Sequence, residues 1–212
     1  MKDAQGREIK YLRVSVTDRC NLRCKYCMPN GIECVEHKDI LSFEEIRQIA
    51  VCGARLGITK IRLTGGEPLA RKGCPELIRM LKEIPGIEKI AMTTNGTLVR
   101  AILPELVEAG LDEINISLDT LDARTFAAIT GQDLLPEVLL AIDAALAAGL
   151  KVKVNAVSMP DTDWKRLITL AKDKPVDVRF IELMPIGEGR HSEGRSNEDL
   201  LEEIRSEFPQ LQ

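Results

Sequence analysis

Apolar runs of strand length alternate with helix-like segments six times along this sequence of 212 residues. The strand-like runs lie at 11–17, 60–66, 89–96, 113–119, 151–158 and 176–183. Regular alternation predicts a parallel sheet with right-handed crossovers, whose mostly apolar strands are covered on both faces. Six units are fewer than the eight of a closed barrel. We therefore predict an α/β fold, either an open doubly wound sheet or a partial TIM-like barrel.

Polar or glycine-rich clusters follow the carboxyl ends of these strands. Their sequences are TDRC, TGGEP, TTNG, SLDTLD, NAVSMP and ELMPIG. The carboxyl ends of parallel strands meet at one edge, and ligands of α/β proteins bind there. We expect the functional site at this edge.

The helical segment at 42–57 carries its own boundary signals. Ser42 and Glu45 have the spacing of a capping box, and Gly57 is a typical helix stop. Cys52, inside this helix, is expected to be a small buried apolar group.

Composition excludes several classes of protein. The formal net charge of −4 and a pI of about 5.4 argue against a general nucleic-acid binder, as does an aromatic content of 3%. The N-terminal segment is polar and lacks the apolar core of a signal peptide, and no apolar run is long enough to span a membrane. We expect a cytoplasmic protein, in which cysteines serve as metal ligands or catalytic groups before disulfides.

Three cysteines, Cys20, Cys24 and Cys27, directly follow the first strand. Closely spaced thiolates are soft ligands suited to zinc, copper(I) or an iron–sulfur cluster. The spacing of the cysteines alone is compatible with several kinds of metal or redox site. One is a structural zinc site completed by Cys34 or His37, and another is a four-cysteine electron-transfer cluster that includes Cys34. A CxxC redox pair and a cluster with one open iron are the other two.

The aromatic Tyr26 before the last cysteine sharpens this pattern. CxxxCxxC with such an aromatic resembles the signature of radical S-adenosylmethionine (radical SAM) enzymes. The resemblance implies a [4Fe–4S] cluster on Cys20, Cys24 and Cys27, whose free iron binds the amino and carboxylate groups of S-adenosylmethionine. An electron then breaks a C–S bond of the cosubstrate and yields a 5′-deoxyadenosyl radical. In this family the fold is a partial (βα)6 TIM-like barrel.

Further blocks narrow the resemblance to one family. YLRVSVTDRCNLRCKYCMP, IRLTGGEPL, TTNG, INISLDTLD, KVNAV and RFIELMPIG span residues 11–187. Together they resemble the GTP 3′,8-cyclase family of molybdenum-cofactor biosynthesis. The resemblance implies that S-adenosylmethionine is contacted by Tyr26, Gly66, Ser117 and Met184. It implies GTP contacts by Arg13, Arg62, Thr93 and Lys153, with Arg179 and Asn155 as further members of the site.

The residue types agree with these roles. Gly65 and Gly66 let backbone approach a ligand closely, and Glu67 offers an acceptor for an ammonium group. Guanidinium groups clamp phosphate oxygens through paired hydrogen bonds, so several basic residues on neighbouring strands suit a triphosphate.

The family's reaction implies definite partners. The radical abstracts the hydrogen at C3′ of GTP, and the product is 3′,8-cyclo-7,8-dihydro-GTP. The enzyme is therefore classed as a lyase. A flavodoxin-like protein is the expected one-electron reductant, and cyclic pyranopterin monophosphate synthase acts next.

The family has a C-terminal region with a second cysteine triad that holds a second cluster, whereas no cysteine follows Cys74 in this sequence. We therefore expect a single radical SAM domain over 1–212, with slow, uncoupled cleavage of S-adenosylmethionine and impaired GTP cyclisation. We also expect an exposed apolar strip that favours a homodimer.

Three other functions compete with this one. A different radical SAM enzyme, such as a peptide-modifying maturase, would share the cysteine motif but usually lacks the SLDTLD block. A zinc-stabilised binding domain would need no enzyme activity at all. A thioredoxin-like role is weakest, because it leaves Cys20 and the GGEP block unused.

Overall fold

The computed structural model describes residues 2–31, 35–185 and 187–210, with the backbone alone at His37 and Gly187. Six strands form one parallel sheet in chain order. They are β1 (Tyr11–Ser15), β2 (Lys60–Thr64), β3 (Lys89–Thr94), β4 (Glu113–Ser117), β5 (Lys151–Ser158) and β6 (Asp177–Glu182). The predicted α/β class is confirmed, and every strand falls inside its predicted range.

Helices follow the strands as the periodicity predicted. They are α1 (Phe43–Arg55), α2 (Cys74–Lys82), α3 (Val99–Glu108), α4 (Ala123–Thr130), α5 (Leu135–Ala147), α6 (Trp164–Asp173) and α7 (Asn197–Glu207). Short 3₁₀ helices lie at His37–Asp39, Pro68–Ala70 and Gly187–His191. Within the described segments no single helix is long and apolar enough to cross a membrane. The bent pair α4 and α5 passes that test only when its two helices are added together.

The start of α1 confirms the predicted capping box. The Ser42 side chain accepts a hydrogen bond from the Glu45 backbone N–H, and the Glu45 carboxylate accepts one from the Ser42 backbone. The prediction for Cys52 is wrong, because its side chain is exposed. Ile46 and Ala50 mark the buried side of α1, and two residues beyond Ala50 the helix faces the other way.

The chain divides into two compact units that interleave along the sequence. The described residues of the first are 2–21, 35–116 and 136–152, and those of the second are 22–31, 117–135, 153–185 and 187–210. The prediction of one domain over 1–212 stays a prediction.

In the first unit the strands alternate between an apolar face and a mostly polar face, on which Ala91 is an apolar exception. The apolar face is fully buried with the helices and contains Ile61, Leu63, Ile90, Met92, Ile114 and Ile116. The other face carries charged and hydroxyl side chains, among them Arg62, Thr93 and Glu113. The expected cover on both faces holds in the middle of β3 and β4, because Ala91, Glu113 and Asn115 on the polar face are buried as well. One face packs the core, and the polar face is available for chemistry.

In the second unit, α6 and α7 pack around an aromatic pair. The rings of Trp164 and Phe208 meet edge to face with centroids 6.4 Å apart. The Trp164 indole N–H also donates to Glu203 at 3.0 Å. Leu167 of α6 and Leu200 of α7 are buried too, so the C-terminal helix is held by packing as well as by a polar bond.

Candidate functional site

The backbone before Cys20 is held by the turn that follows β2. Gly66 N–H donates to the Thr17 carbonyl at 2.7 Å, and Glu67 N–H donates to the Arg19 carbonyl at 2.7 Å. A Cβ on Gly66 would lie 2.4 Å from the Arg19 carbonyl oxygen, a distance that real side chains do not adopt. The position therefore requires glycine, because the first cysteine's loop rests directly on this turn.

Glu67 is fully buried and bonds only within the protein. One carboxylate oxygen accepts from the Leu69 N–H at 3.0 Å and the Thr94 hydroxyl at 2.8 Å. The other accepts from the Asn95 N–H at 2.7 Å. Burial raises the pKa of this carboxyl group, against hydrogen bonds that lower it. Glu67 thus joins the ends of β2 and β3, and its role as an acceptor for an ammonium group stays a prediction.

The second and third cysteines lie on one tight turn of the second unit. The backbone N–H groups of Cys27 and Met28 both donate to the Cys24 carbonyl, at 2.9 and 3.1 Å. Two neighbouring N–H groups donate to the last turn of α4: Arg23 to the Thr130 carbonyl at 2.9 Å and Lys25 to the Ile129 carbonyl at 3.0 Å. Carbonyls at a helix end have no intrahelical partner, so the cysteine segment satisfies them.

Tyr26 ties this turn to the end of β4. Its hydroxyl donates to one Asp119 oxygen at 2.7 Å, while the other Asp119 oxygen accepts from the Val157 N–H at 2.8 Å. Burial raises the pKa of both side chains, and the facing Asp119 carboxylate raises that of Tyr26 further. Asp119 therefore links the cysteine turn to β5 through a single, partly buried carboxylate.

The thiols fit the predicted cluster in type and access. Cys20 and Cys24 are partly exposed, Cys27 is exposed, and none of them forms a disulfide. Thiols are soft donors, and three of them are the type of donor set that an iron–sulfur cluster takes. Cys34 and the side chain of His37, the candidate fourth ligands, lie outside the described residues. In the described ranges, no three His, Cys, Asp or Glu side chains converge as the ligands of one metal ion.

The predicted GTP residues of the first unit lie together on its polar face. Arg62 Nη1 donates to the Thr93 hydroxyl at 3.3 Å. Arg13 is aligned with Arg62 in the register of β1 and β2, and its Nε donates to the Thr64 hydroxyl at 3.4 Å. Two guanidinium groups and two hydroxyls thus occupy adjacent strands, a donor array suited to phosphate oxygens.

One carboxylate partly balances these cations. Glu113 Oε2 lies 2.5 Å from Lys60 Nζ and 3.9 Å from Arg62 Nη2, and its other oxygen lies 3.7 Å from Lys89 Nζ. A single negative charge among three cations leaves a net positive field on this face, even though the whole protein is acidic.

The remaining predicted residues lie in the second unit. Ser117 is exposed at the end of β4, and Met184 is 61% exposed, so its side chain is no core filler. Lys153 Nζ lies 3.5 Å from Asp177 Oδ2. Asn155 is aligned with Arg179 in the register of β5 and β6, and its buried Oδ1 has no hydrogen-bond partner among the described residues.

Sequence reasoning missed the residues that hold the cysteines in place. Asn95 and Asp119 were visible only as members of the TTNG and SLDTLD blocks, without a role. Their strand-end position was the available signal, but their partners lie far away along the chain.

The close contact at Gly66 makes a testable prediction. Gly66→Ala should destabilise the protein by about 1–3 kcal/mol, because the methyl group meets rigid backbone. Gly53→Ala is the matched control, since its Cβ would meet side chains at ordinary contact distance, Ile58 at 3.4 Å and Leu12 at 3.9 Å. Gly53 lies in a helix, where alanine adds about 0.5–1 kcal/mol of stability. Thermal unfolding and iron content after anaerobic reconstitution check both changes. Equal effects of the two variants would contradict the contact.

Three kinds of similarity to known proteins bear on this site. The radical SAM superfamily model matches residues 14–173. The chain is 47% identical to a GTP 3′,8-cyclase of Clostridium perfringens over 211 residues, covering 98% of this chain and 65% of that protein. It is 46% identical to a GTP 3′,8-cyclase of Alkaliphilus oremlandii over 217 residues, covering 99% of this chain and 68% of that protein. The chain spans about 65% of the length of the first of these relatives.

Solved structures of other proteins share this fold. Streptococcus suis SuiB bound to S-adenosylmethionine matches with a TM-score of 0.77 and 18% identity, covering 94% of this chain and 47% of that one. Methylornithine synthase PylB matches with a TM-score of 0.69 and 18% identity, covering 94% of this chain and 62% of that one. At this identity the likeness concerns the fold alone. It confirms the predicted α/β fold and is consistent with a partial TIM-like barrel.

Proposed function

The chain belongs to the radical SAM superfamily, and from this premise we propose that it generates the radical for the GTP 3′,8-cyclase reaction of molybdenum-cofactor biosynthesis. The observation that carries the proposal is the anchored three-cysteine segment. Its thiols form no disulfide, the turn after β2 supports the backbone before Cys20, and the end of α4 supports the backbone around Cys24. Similarity to GTP 3′,8-cyclases over nearly the whole chain supports GTP as the substrate.

Each group of residues has a proposed task. Cys20, Cys24 and Cys27 hold one [4Fe–4S] cluster, which when bound passes an electron to S-adenosylmethionine so that methionine and a 5′-deoxyadenosyl radical form. Tyr26, Gly66, Ser117 and Met184 contact S-adenosylmethionine. The GTP contacts come from Arg13, Arg62, Thr93 and Lys153, with Asn155 and Arg179 beside them.

The substrate chemistry then follows from the radical. Transfer of H3′ from GTP gives 5′-deoxyadenosine and a C3′ radical, which adds to C8 of guanine. One electron and one proton complete 3′,8-cyclo-7,8-dihydro-GTP. The proposal includes a cytoplasmic location, a flavodoxin-like reductant and a cyclic pyranopterin monophosphate synthase downstream. The homodimer stays a prediction.

Electron paramagnetic resonance of the anaerobically reconstituted, reduced protein tests the proposal. We expect a [4Fe–4S]⁺ signal that changes on adding S-adenosylmethionine, because an open iron gains new ligands. A signal indifferent to the cosubstrate would overturn the radical mechanism, and so would zinc in place of iron.

The mostly buried guanidinium of Arg62 gives a test for the substrate. Arg62→Gln should weaken GTP binding about tenfold to a hundredfold, because a charged hydrogen bond is worth roughly 1.5–3 kcal/mol. Lys89→Gln is the matched control. Both cations face Glu113, but the Lys89 side chain is 58% exposed and that of Arg62 only 11%. Calorimetric titration with GTP and with S-adenosylmethionine separates the two ligands. Equal GTP affinity of both variants would contradict the role of Arg62 as a GTP contact. Failure of the wild-type protein to bind GTP would favour the function of another radical SAM enzyme.

A further inference from the structure

Asn95 lies just beyond β3 and forms hydrogen bonds through its backbone N–H and both side-chain polar atoms. Its backbone N–H donates to the buried Glu67 carboxylate at 2.7 Å. Its Oδ1 accepts from the Thr97 N–H at 3.0 Å and the Thr97 hydroxyl at 2.7 Å. Its Nδ2 donates to Asn21 Oδ1 at 2.8 Å and lies 3.9 Å from Cys20 Sγ, within the longer reach of a hydrogen bond to sulfur.

The orientation of this amide follows from the chemistry of its partners. A backbone N–H such as that of Thr97 can only donate, so the atom of Asn95 that faces it must be the oxygen. The amide nitrogen is therefore the atom that faces Asn21 and Cys20. An NH₂ group has two hydrogens, so one can bond Asn21 while the other points to the sulfur of Cys20.

A closed ring of side chains fixes this arrangement. Asn95 donates to Asn21, Asn21 Nδ2 donates to the Thr97 hydroxyl at 2.8 Å, and that hydroxyl donates back to Asn95. Each member has one orientation consistent with all three bonds. Because Asn21 is the neighbour of Cys20 in the chain, the ring holds the first cysteine through its backbone as well as through its sulfur.

We propose that Asn95 is a positioning residue that holds Cys20 and tunes the reduction potential of the cluster through an N–H···S hydrogen bond. The inference rests on the proposed function, since the tuned group is the cluster on Cys20, Cys24 and Cys27. Reduction adds negative charge to the cluster sulfurs, and a hydrogen bond stabilises that charge, so the bond favours the reduced state. That is the state from which S-adenosylmethionine is cleaved.

Two substitutions at Asn95 measure this effect. Asn95→Ala removes the donor, and Asn95→Asp replaces it with an acceptor of similar size. In reconstituted protein we expect each to lower the equilibrium constant for one-electron reduction at least tenfold, a shift of about 59 mV to more negative potential. The shift should be larger for Asp, because it places a negative charge beside the cluster.

Thr97→Val is the matched control. It removes two hydrogen bonds of the same ring but leaves the amide donor of Asn95. We expect a lower thermal unfolding midpoint and an unchanged potential. If Thr97→Val shifts the potential as much as Asn95→Ala, the role of Asn95 is only structural and the proposal fails.

A measurement on the wild type needs no variant to fold. Protein labelled with ¹⁵N in asparagine amides should show a weak ¹⁵N hyperfine coupling to the reduced cluster, and this coupling should persist in Asn21→Ala. Its absence in a loaded wild type would overturn the inference while the proposed function stands. A wild type that takes up no [4Fe–4S] cluster would overturn the proposed function itself.

Discussion

Cys24→Ser should leave a folded protein that no longer retains its cluster, and cleavage of S-adenosylmethionine should fall more than about a hundredfold. Even partners outside the ligand shell cost about 10–100-fold in metal affinity or activity, so loss of a ligand costs more. Iron and sulfide per chain, paramagnetic resonance and release of 5′-deoxyadenosine measure the loss. Cys20→Ser and Cys27→Ser should behave in the same way.

Cys52→Ser is the matched control for these variants. Its thiol is exposed on α1, so its replacement should change neither iron content nor activity. Cys34→Ser decides the open question about the fourth ligand. If the Cys34→Ser variant also loses the cluster, Cys34 is a ligand. It would then occupy the iron that is expected to bind S-adenosylmethionine. Retention of iron and activity by Cys24→Ser would contradict the three-cysteine site.

Local signals in the sequence were enough to predict the elements of the fold. The strands were predicted by short β-branched runs, and α1 by a capping box whose two partners are three residues apart. Such interactions depend on near neighbours, so pattern and chemistry specify them without knowledge of the fold. The prediction for Cys52 failed for a different reason. The sequence placed Cys52 correctly inside a helix, but its burial depends on which side of that helix packs against the core.

The supports of the site could not be predicted in this way. Glu67 meets Thr94 and Asn95 from 27 and 28 residues away, Asn95 meets Cys20 from 75, and Tyr26 meets Asp119 from 93. No periodicity marks such pairs. The strand-end clusters predicted that these side chains would share an edge of the sheet. The register of neighbouring strands decides which of these carboxylates faces the protein interior and which can reach a ligand. This register could not be read from the sequence.

Asp119→Leu should be among the most destabilising substitutions in the second unit. It leaves the Tyr26 hydroxyl and the Val157 N–H without their acceptor, and each unsatisfied group costs roughly 1–3 kcal/mol. A total of about 4 kcal/mol would lower the thermal midpoint by roughly 8–16 °C. The iron content should fall too, because Tyr26 ties the cysteine turn to β4. Tyr26→Phe is the milder companion, since Asp119 then still accepts from Val157.

Asp119→Asn should instead reveal the buried charge through pH. Burial raises the pKa of Asp119, so the folded protein binds this proton more tightly than the unfolded chain. Its contribution to stability is complete below the unfolded pKa of about 3.9 and is lost as the pH rises through the folded pKa. Relative to wild type, the asparagine variant should therefore gain stability as the pH rises from about 5.

Asp122→Asn is the control for this pH dependence, because the shift at Asp122 has the opposite sign. Hydrogen bonds from the Thr125 N–H and hydroxyl lower the pKa of Asp122. Its contribution is therefore complete above the unfolded pKa of about 3.9 and is lost only at lower pH. Chemical denaturation between about pH 5 and 8 should show a flat difference from wild type for Asp122→Asn and a rising one for Asp119→Asn. A flat difference for both would mean that Asp119 titrates as an ordinary exposed carboxylate, and the buried link between the cysteine turn and β5 would be wrong.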